Sequence, residues 1–208
     1  MKNEKQTHIW VYNVCIYQET PYLLLAQRKG HEDLFWHLAC GLSEKPDRDE
    51  DDFIATARAA NDRELKLRHS DVKFVLAHYD ETKDSSWIDG VGCAHMIADF
   101  GRVGGLPSFT EQTVDTPSGK KGVTHAEWVK IADIKTSAEN KTTKTTSNPL
   151  AAAASTSVFY HDLPMRNMVA RILSQEIKGY LEDTYGPFRT TLPDLKHAAF
   201  SPDYPAPR

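Results

Sequence analysis

Residues 44–67 change character midway, and that change limits the fold more than any other feature of the chain. The first part, EKPDRDEDD from Glu44 to Asp52, holds six acids in nine residues. The second, FIATARAANDRELKL, carries four alanines together with Leu, Arg, Lys and Glu, the residue types that cost least in a helix. Acidic side chains complement the partial positive charge at a helix N-terminus, so a helix is predicted from Glu50 to Lys66. Phe53, Ile54, Ala57, Ala60, Asn61 and Leu65 fall on one stripe of it, which needs another layer to cover it.

The flanking segments supply that layer. HIWVYNVCIY (His8–Tyr17) and PYLLLAQR (Pro21–Arg28) are rich in branched and aromatic residues, and the short Gln18–Thr20 link joins them as a hairpin. LFWHLACG (Leu34–Gly41) reads as a third strand ending in glycine. VKFVLAHY (Val72–Tyr79), VGCAHMIADF (Val91–Phe100) and VTHAEWVKI (Val123–Ile131) continue the series, with Gly101–Gly122 read as loop. A closing helix is predicted from Asp162 to Asp183, with Asp162 as cap, Pro164 in its first turn, and Met168, Val169, Ile172, Leu173, Ile177 and Leu181 as its buried stripe. The expected fold class is therefore α/β, a mixed sheet covered by a helix on either side.

At 208 residues the chain is long enough for one large domain, and residues 1–183 are read as one. Within it, 135–157 contains ten Ser or Thr and only one branched aliphatic residue, Leu150, too little apolar surface to offset the entropy of ordering. That segment is expected to be a flexible insertion, and 184–208 an extended, proline-containing tail. Twenty-five basic against 29 acidic residues leave a net charge of −4, which argues against a nucleic-acid backbone or an anionic membrane as the main partner. Three cysteines, Cys15, Cys40 and Cys93, have neither the even number of a disulfide framework nor the spacing of a zinc site. No apolar run approaches the roughly 20 residues that span a bilayer. These features fit a cytoplasmic protein.

The order of elements, with LLLAQR, FWHLACGLSE, ATARAANDRELKL and HAEWVKIADI in their places, resembles the Nudix hydrolases over Thr7–Ile134 and the closing helix. The resemblance implies an α/β/α sandwich and a motif that runs Gly, five residues, Glu, seven residues, Arg-Glu, two residues, Glu-Glu. Glutamates one helical turn apart hold Mg²⁺ or Mn²⁺ against a diphosphate, because hard cations prefer oxygen ligands, and the metal activates water for attack at phosphorus.

On that pattern Gly41 matches the leading glycine, and Glu50 stands seven residues before Arg58, with three extra residues between Gly41 and Glu50. Past Arg58 the carboxylates are replaced: Ala59 stands for the first glutamate, and Asp62-Arg63 for the final pair. Arg63-Glu64-Leu65 offers a second register, but no acidic pair follows it. A guanidinium on the face that should hold a cation repels that cation and can itself bind phosphate. The expected function is binding of a nucleotide or other diphosphate ligand with hydrolysis weak or lost. Its residues would be Arg28, Trp36, Gly41 and Arg63 for the ligand and Glu50, Arg58, Asp62 and Glu127 for residual chemistry, with Glu50, Asp62 and Glu64 as the metal set of an active but divergent hydrolase. A structural or protein-interaction use of the fold is the third alternative, and strand-rich edges suit a homodimer.

Several residues have an ordinary structural explanation beside a chemical one. Cys93 and His95 share a strand face, but apolar neighbours favour burial over a nucleophile and base. Trp10, Trp36 and Trp87 could stack a base or fill the core. Glu127 and His125 sit on a late strand where a salt bridge would also account for an acid.

Overall fold

The structure, a computed structural model, describes residues 7–28, 36–43, 49–67, 71–80, 92–109, 113–116, 119–133 and 171–188. Strand β1 (Thr7–Tyr17) is the organising element. It pairs in parallel with β6 (Gly92–Val103) along its whole length, Thr7 opposite Gly92 and Tyr17 opposite Val103. On its other side it changes partner halfway. Thr7–Val11 pairs antiparallel with β4 (Ala39–Ser43), and Val14–Tyr17 with β2 (Thr20–Arg28).

This change of partner explains one departure from the sequence reading. The single strand expected over Leu34–Gly41 is two where it is described: β3 (Trp36–His37) pairs with β2, and β4 pairs with β1. Buried Leu38 lies between them. The remaining strands are β5 (Lys73–Asp80) on the outer edge of β6, then β8 (Gly119–Lys130) against β2, and β7 (Thr113–Thr116) against the start of β8. The sheet thus runs β5-β6-β1-β2-β8-β7 with one parallel pair, a mixed sheet. Reading Gly101–Gly122 as loop was wrong at both ends, since β6 extends to Val103, β7 occupies Thr113–Thr116 and β8 begins at Gly119. Main-chain hydrogen bonds hold a two-stranded ribbon without the alternating apolar residues by which a strand is recognised in sequence.

The β1–β2 hairpin closes through Gln18 and Glu19, both at positive φ (50° and 58°). Two such residues make the turn whose twist matches the flanking strands. Glu19 is additionally paired with Arg102 at the end of β6.

Helix α1 (Glu50–Leu65) matches the expected start. Asp49 caps it by accepting from the Asp52 N–H at 2.8 Å, and Glu50, Asp51 and Asp52 occupy the first turn. It ends at Lys66, a left-handed residue (φ 42°) whose N–H returns to the Asp62 carbonyl. The buried stripe contains Phe53, Ala57, Ala60, Asn61 and Leu65 as expected, with Ile54 half-buried; two acids, Asp52 and Glu64, are buried beside them. This face meets Ile9, Val11, Ala94, Met96 and Ala98 on one side of the sheet. The opposite sheet face, with Tyr12, Val14, Leu23, Leu25 and Ile97, is covered by the closing helix through Ile172, Leu173, Ile177 and Leu181. That helix begins with a wide π-helical stretch, Ile172–Ile177, and continues as α2 (Lys178–Tyr185). Its end is held by buried Asp99, whose Oδ2 accepts the hydroxyls of Tyr180 (2.7 Å) and Tyr185 (2.6 Å).

The 135–157 segment, residues 162–170 with Pro164, Met168 and Val169, the tail beyond 188, and Trp87 lie outside the described residues. No described helix is long and apolar enough to cross a membrane.

Candidate functional site

The site proposed from sequence centres on Gly41 and the outer face of α1. Gly41 faces the helix so closely that a Cβ there would lie 2.8 Å from Thr56 Cγ2 and 3.3 Å from the Thr56 carbonyl oxygen. Only glycine lets β4 and α1 approach this far. The contact also brings the main chain just before Gly41 within reach of the last turn of α1. Arg63 Nη2 donates to the Cys40 carbonyl oxygen at 2.7 Å and lies 3.3 Å from Glu64 Oε1. The Arg63 side chain is 48% exposed while that of Glu64 is 4% exposed. The guanidinium therefore spans from a main-chain oxygen and a buried carboxylate out to solvent, and among the described residues its Nη1 and Nε donors meet no acceptor. Ala59, one turn earlier, is exposed and contributes no polar group.

The other candidates are distributed along and around this element. Arg58 and Asp62, one turn apart, are exposed and border a cavity on the β5/β6 flank of the helix. Glu50 is the first residue of α1. Twelve positions at 1.5 Å each place it about 18 Å from Asp62 along the axis. Glu64 points inward, toward the sheet, while Asp62 points outward. Glu50, Asp62 and Glu64 thus do not converge on one point. No group of three His, Cys, Asp or Glu among the described residues is placed to hold a metal, so the named carboxylates do not fit a shared Mg²⁺ or Mn²⁺.

Glu127 is half-buried on β8 opposite Leu25. It alternates with Ala126 and Trp128, which pack on the α1 side, and shares its direction with Val129 and Ile131, which pack toward the closing helix. The sheet lies between Glu127 and Arg63. Arg28 is the last residue of β2, opposite Val123, and Trp36 in β3 is opposite Gln27; their side chains lie outside the described part of the structure. Trp10 is buried in the core, stacked on His8 at 4.7 Å. Cys93 and His95 are also buried, with the Tyr12 hydroxyl 3.0 Å from His95 Nδ1.

Two supporting contacts were not identified from sequence. Asn13 on β1 and Asn61 on α1 exchange a pair of hydrogen bonds, 3.0 and 2.6 Å, inside the core. The signal was present, an amide within each of two apolar patterns, but nothing in the sequence paired them. Ser43 donates to buried Asp52 at 3.3 Å, a second tie between β4 and the start of α1.

No family model matches the chain, and no curated protein matches it. Solved structures do. An Ap4A hydrolase of C. elegans is similar over 85% of this chain and 98% of its own, with a TM-score of 0.50 and 9% identity. A MutT/nudix family protein from Enterococcus faecalis is similar over 62% of this chain and 45% of its own (TM-score 0.44, 16% identity). The NUDIX domain of Shewanella oneidensis NrtR, in complex with ADP ribose, is similar over 62% and 75% (TM-score 0.41, 14% identity). The chain has the fold of the Nudix hydrolases.

Proposed function

We propose that this chain, built on the Nudix fold, binds a nucleotide or another small diphosphate-bearing molecule through Arg63, with metal-dependent pyrophosphate hydrolysis weak or lost. The observation that carries this reading is the Arg63 guanidinium beside the Cys40 carbonyl, on the helix face where the motif calls for carboxylates. A fixed positive charge there takes over the neutralisation of phosphate that a bound cation would otherwise provide, and hydrogen bonds from guanidinium to phosphate are strong and directional. Without a metal to activate water, binding is separated from hydrolysis. The similar C. elegans protein is an Ap4A hydrolase, which supports a polyphosphate-bearing ligand. A single domain over 1–183, working in a reducing cytoplasm with its three cysteines as free thiols and as a homodimer, completes the proposal.

Isothermal titration with pyrophosphate and with ADP, each with and without Mg²⁺, tests it. Binding is expected without Mg²⁺ and is expected to fall at least tenfold in Arg63→Gln, since a charge-assisted hydrogen bond contributes about 1.5–3 kcal/mol. Binding that requires Mg²⁺ overturns the proposal. So does phosphate release from dinucleotides or nucleoside diphosphate sugars that Asp62→Asn or Glu50→Gln abolishes, because that result identifies a working carboxylate site.

A further inference from the structure

The flank of α1 away from β4 carries a second feature that the diphosphate reading leaves unused. A cavity of about 330 Å³ opens between the C-terminal half of the helix, the start of β5 and the C-terminal part of β6. Buried Phe100 closes it from the sheet side, Leu67, Val72 and Phe74 line it, and Arg58 and Asp62 border it from α1. At 100° per residue, Arg58 and Arg63 project about 140° apart around the helix. The cavity and the Arg63–Cys40 contact therefore belong to different flanks.

Arg58 and Asp62 stand at i and i+4, where opposite charges commonly pair, but with the cation nearer the N-terminus, the weaker of the two orders. Here they do not pair. The Arg58 guanidinium instead lies over the Phe74 ring, 5.2 Å from its centroid. A cation–π contact of this kind holds the guanidinium beside the ring without using its N–H donors. Neither Arg58 nor Asp62 has an ion-pair partner among the described residues. Asn61 also borders the cavity, but its amide is committed to Asn13.

A monoanion attracted to Arg58 is repelled by Asp62, and a monocation attracted to Asp62 is repelled by Arg58. A molecule carrying both charges satisfies both, and a carboxylate matches the guanidinium fork. An apolar body suits the rest of the space, which among the described residues is lined by Leu67, Val72, Phe74 and Phe100 beside Asn61. The volume sits at the low end of the roughly 300–1,000 Å³ found for small-molecule sites, which suits a compact ligand. We propose that this cavity binds a small zwitterion of α-amino-acid chemistry with an apolar side chain, its carboxylate on Arg58, its ammonium on Asp62 and its side chain against Phe74 and Phe100. This site does not depend on the diphosphate reading.

The test is titration of the full chain with L-phenylalanine and L-leucine, alongside phenylalanine amide and N-acetylphenylalanine, which each lack one of the two charges. Both amino acids are expected to bind, and each derivative to bind at least tenfold more weakly than L-phenylalanine, the loss expected for a hydrogen-bonded charge. Arg58→Gln should weaken L-phenylalanine by a similar factor and erase its advantage over the amide. Asp62→Asn should erase its advantage over the N-acetyl compound. Both substitutions are at exposed positions, and thermal melts check that the variants stay folded. Excess pyrophosphate should leave the L-phenylalanine isotherm unchanged. Failure of both amino acids to bind, equal binding of either derivative, full binding by either variant, or competition by pyrophosphate would each overturn the proposal.

Discussion

Arg63 Nη2 and the Cys40 carbonyl oxygen are 2.7 Å apart, which ties the last turn of α1 to the residue preceding Gly41. The relationship places the guanidinium cation beside the start of β4. It also shows which substitutions should put an ion there. Positions 59 and 63 are one turn apart on exposed helix surface, and the Cys40 carbonyl is a hard oxygen donor of the kind Mn²⁺ accepts.

The double change Ala59→Glu with Arg63→Glu is therefore expected to create a Mn²⁺ site. Titration of Mn²⁺ followed by electron paramagnetic resonance should show stoichiometric binding in the double variant that is missing from the parent. If the double variant gains none, the motif has been placed in the wrong register on α1.

The Asn13–Asn61 pair joins the central strand to the helix that carries the site. Asn13→Ala leaves the Asn61 amide buried without its partner and should cost about 1–3 kcal/mol in urea unfolding. Adding Asn61→Ala should cost less than the sum of the single changes, because the second removes a group that the first has already orphaned. Strict additivity would mean that the two amides act independently.

Close approach at Gly41 makes a different prediction. Gly41→Ala pushes a methyl group against Thr56 Cγ2 and should destabilise the fold by about 1–3 kcal/mol. Thr56→Ser removes the clashing methyl and should recover part of that loss. The same Gly41→Ala change should weaken pyrophosphate binding, since Arg63 reaches its partner only while β4 stays close to α1.

Alkaline pH should destabilise the protein through its buried acids. Burial, with the nearby Asp99 carboxylate adding to it, pushes the Cys15 thiol from 9.0 up to about 12. Burial and the hydrogen bonds to Asp99 raise the Tyr180 and Tyr185 hydroxyls well above their ordinary range. The folded state keeps these protons where the unfolded chain releases them, so stability is complete below about pH 9 and falls as pH rises toward 12. One such group contributes a slope of up to about 1.4 kcal/mol per pH unit. Urea unfolding at a series of pH values should therefore show a shallower decline in Cys15→Ala than in the parent. An unchanged slope would show that Cys15 ionises alike in both states.

Much of the architecture was legible because it depends on local pattern. The acidic run and alanine-rich stretch placed α1 from Glu50, and branched residues placed β1, β2, β5 and β6 to within a few positions. The pairing of β7 with the start of β8 was missed because main-chain hydrogen bonds rather than alternating apolar residues make it a ribbon, and the two-strand break at Leu38 was missed because it arises from β1 changing partner. Glu127 illustrates the limit for the site. Its position in the chain suggested chemistry, but strand alternation and the path of β2 put the sheet between it and Arg63.

Residue identity alone put Ala59 and Arg63 one turn apart on a single helix, because that follows from spacing along the chain. Only the tertiary structure decided what Arg63 meets there. The Gly41–Thr56 approach brings a carbonyl from β4 to Arg63, and the turn of the helix separates that contact from the Arg58–Asp62 cavity. Both depend on how a strand and a helix distant in sequence pack, and short-range pattern carries no information about that distance.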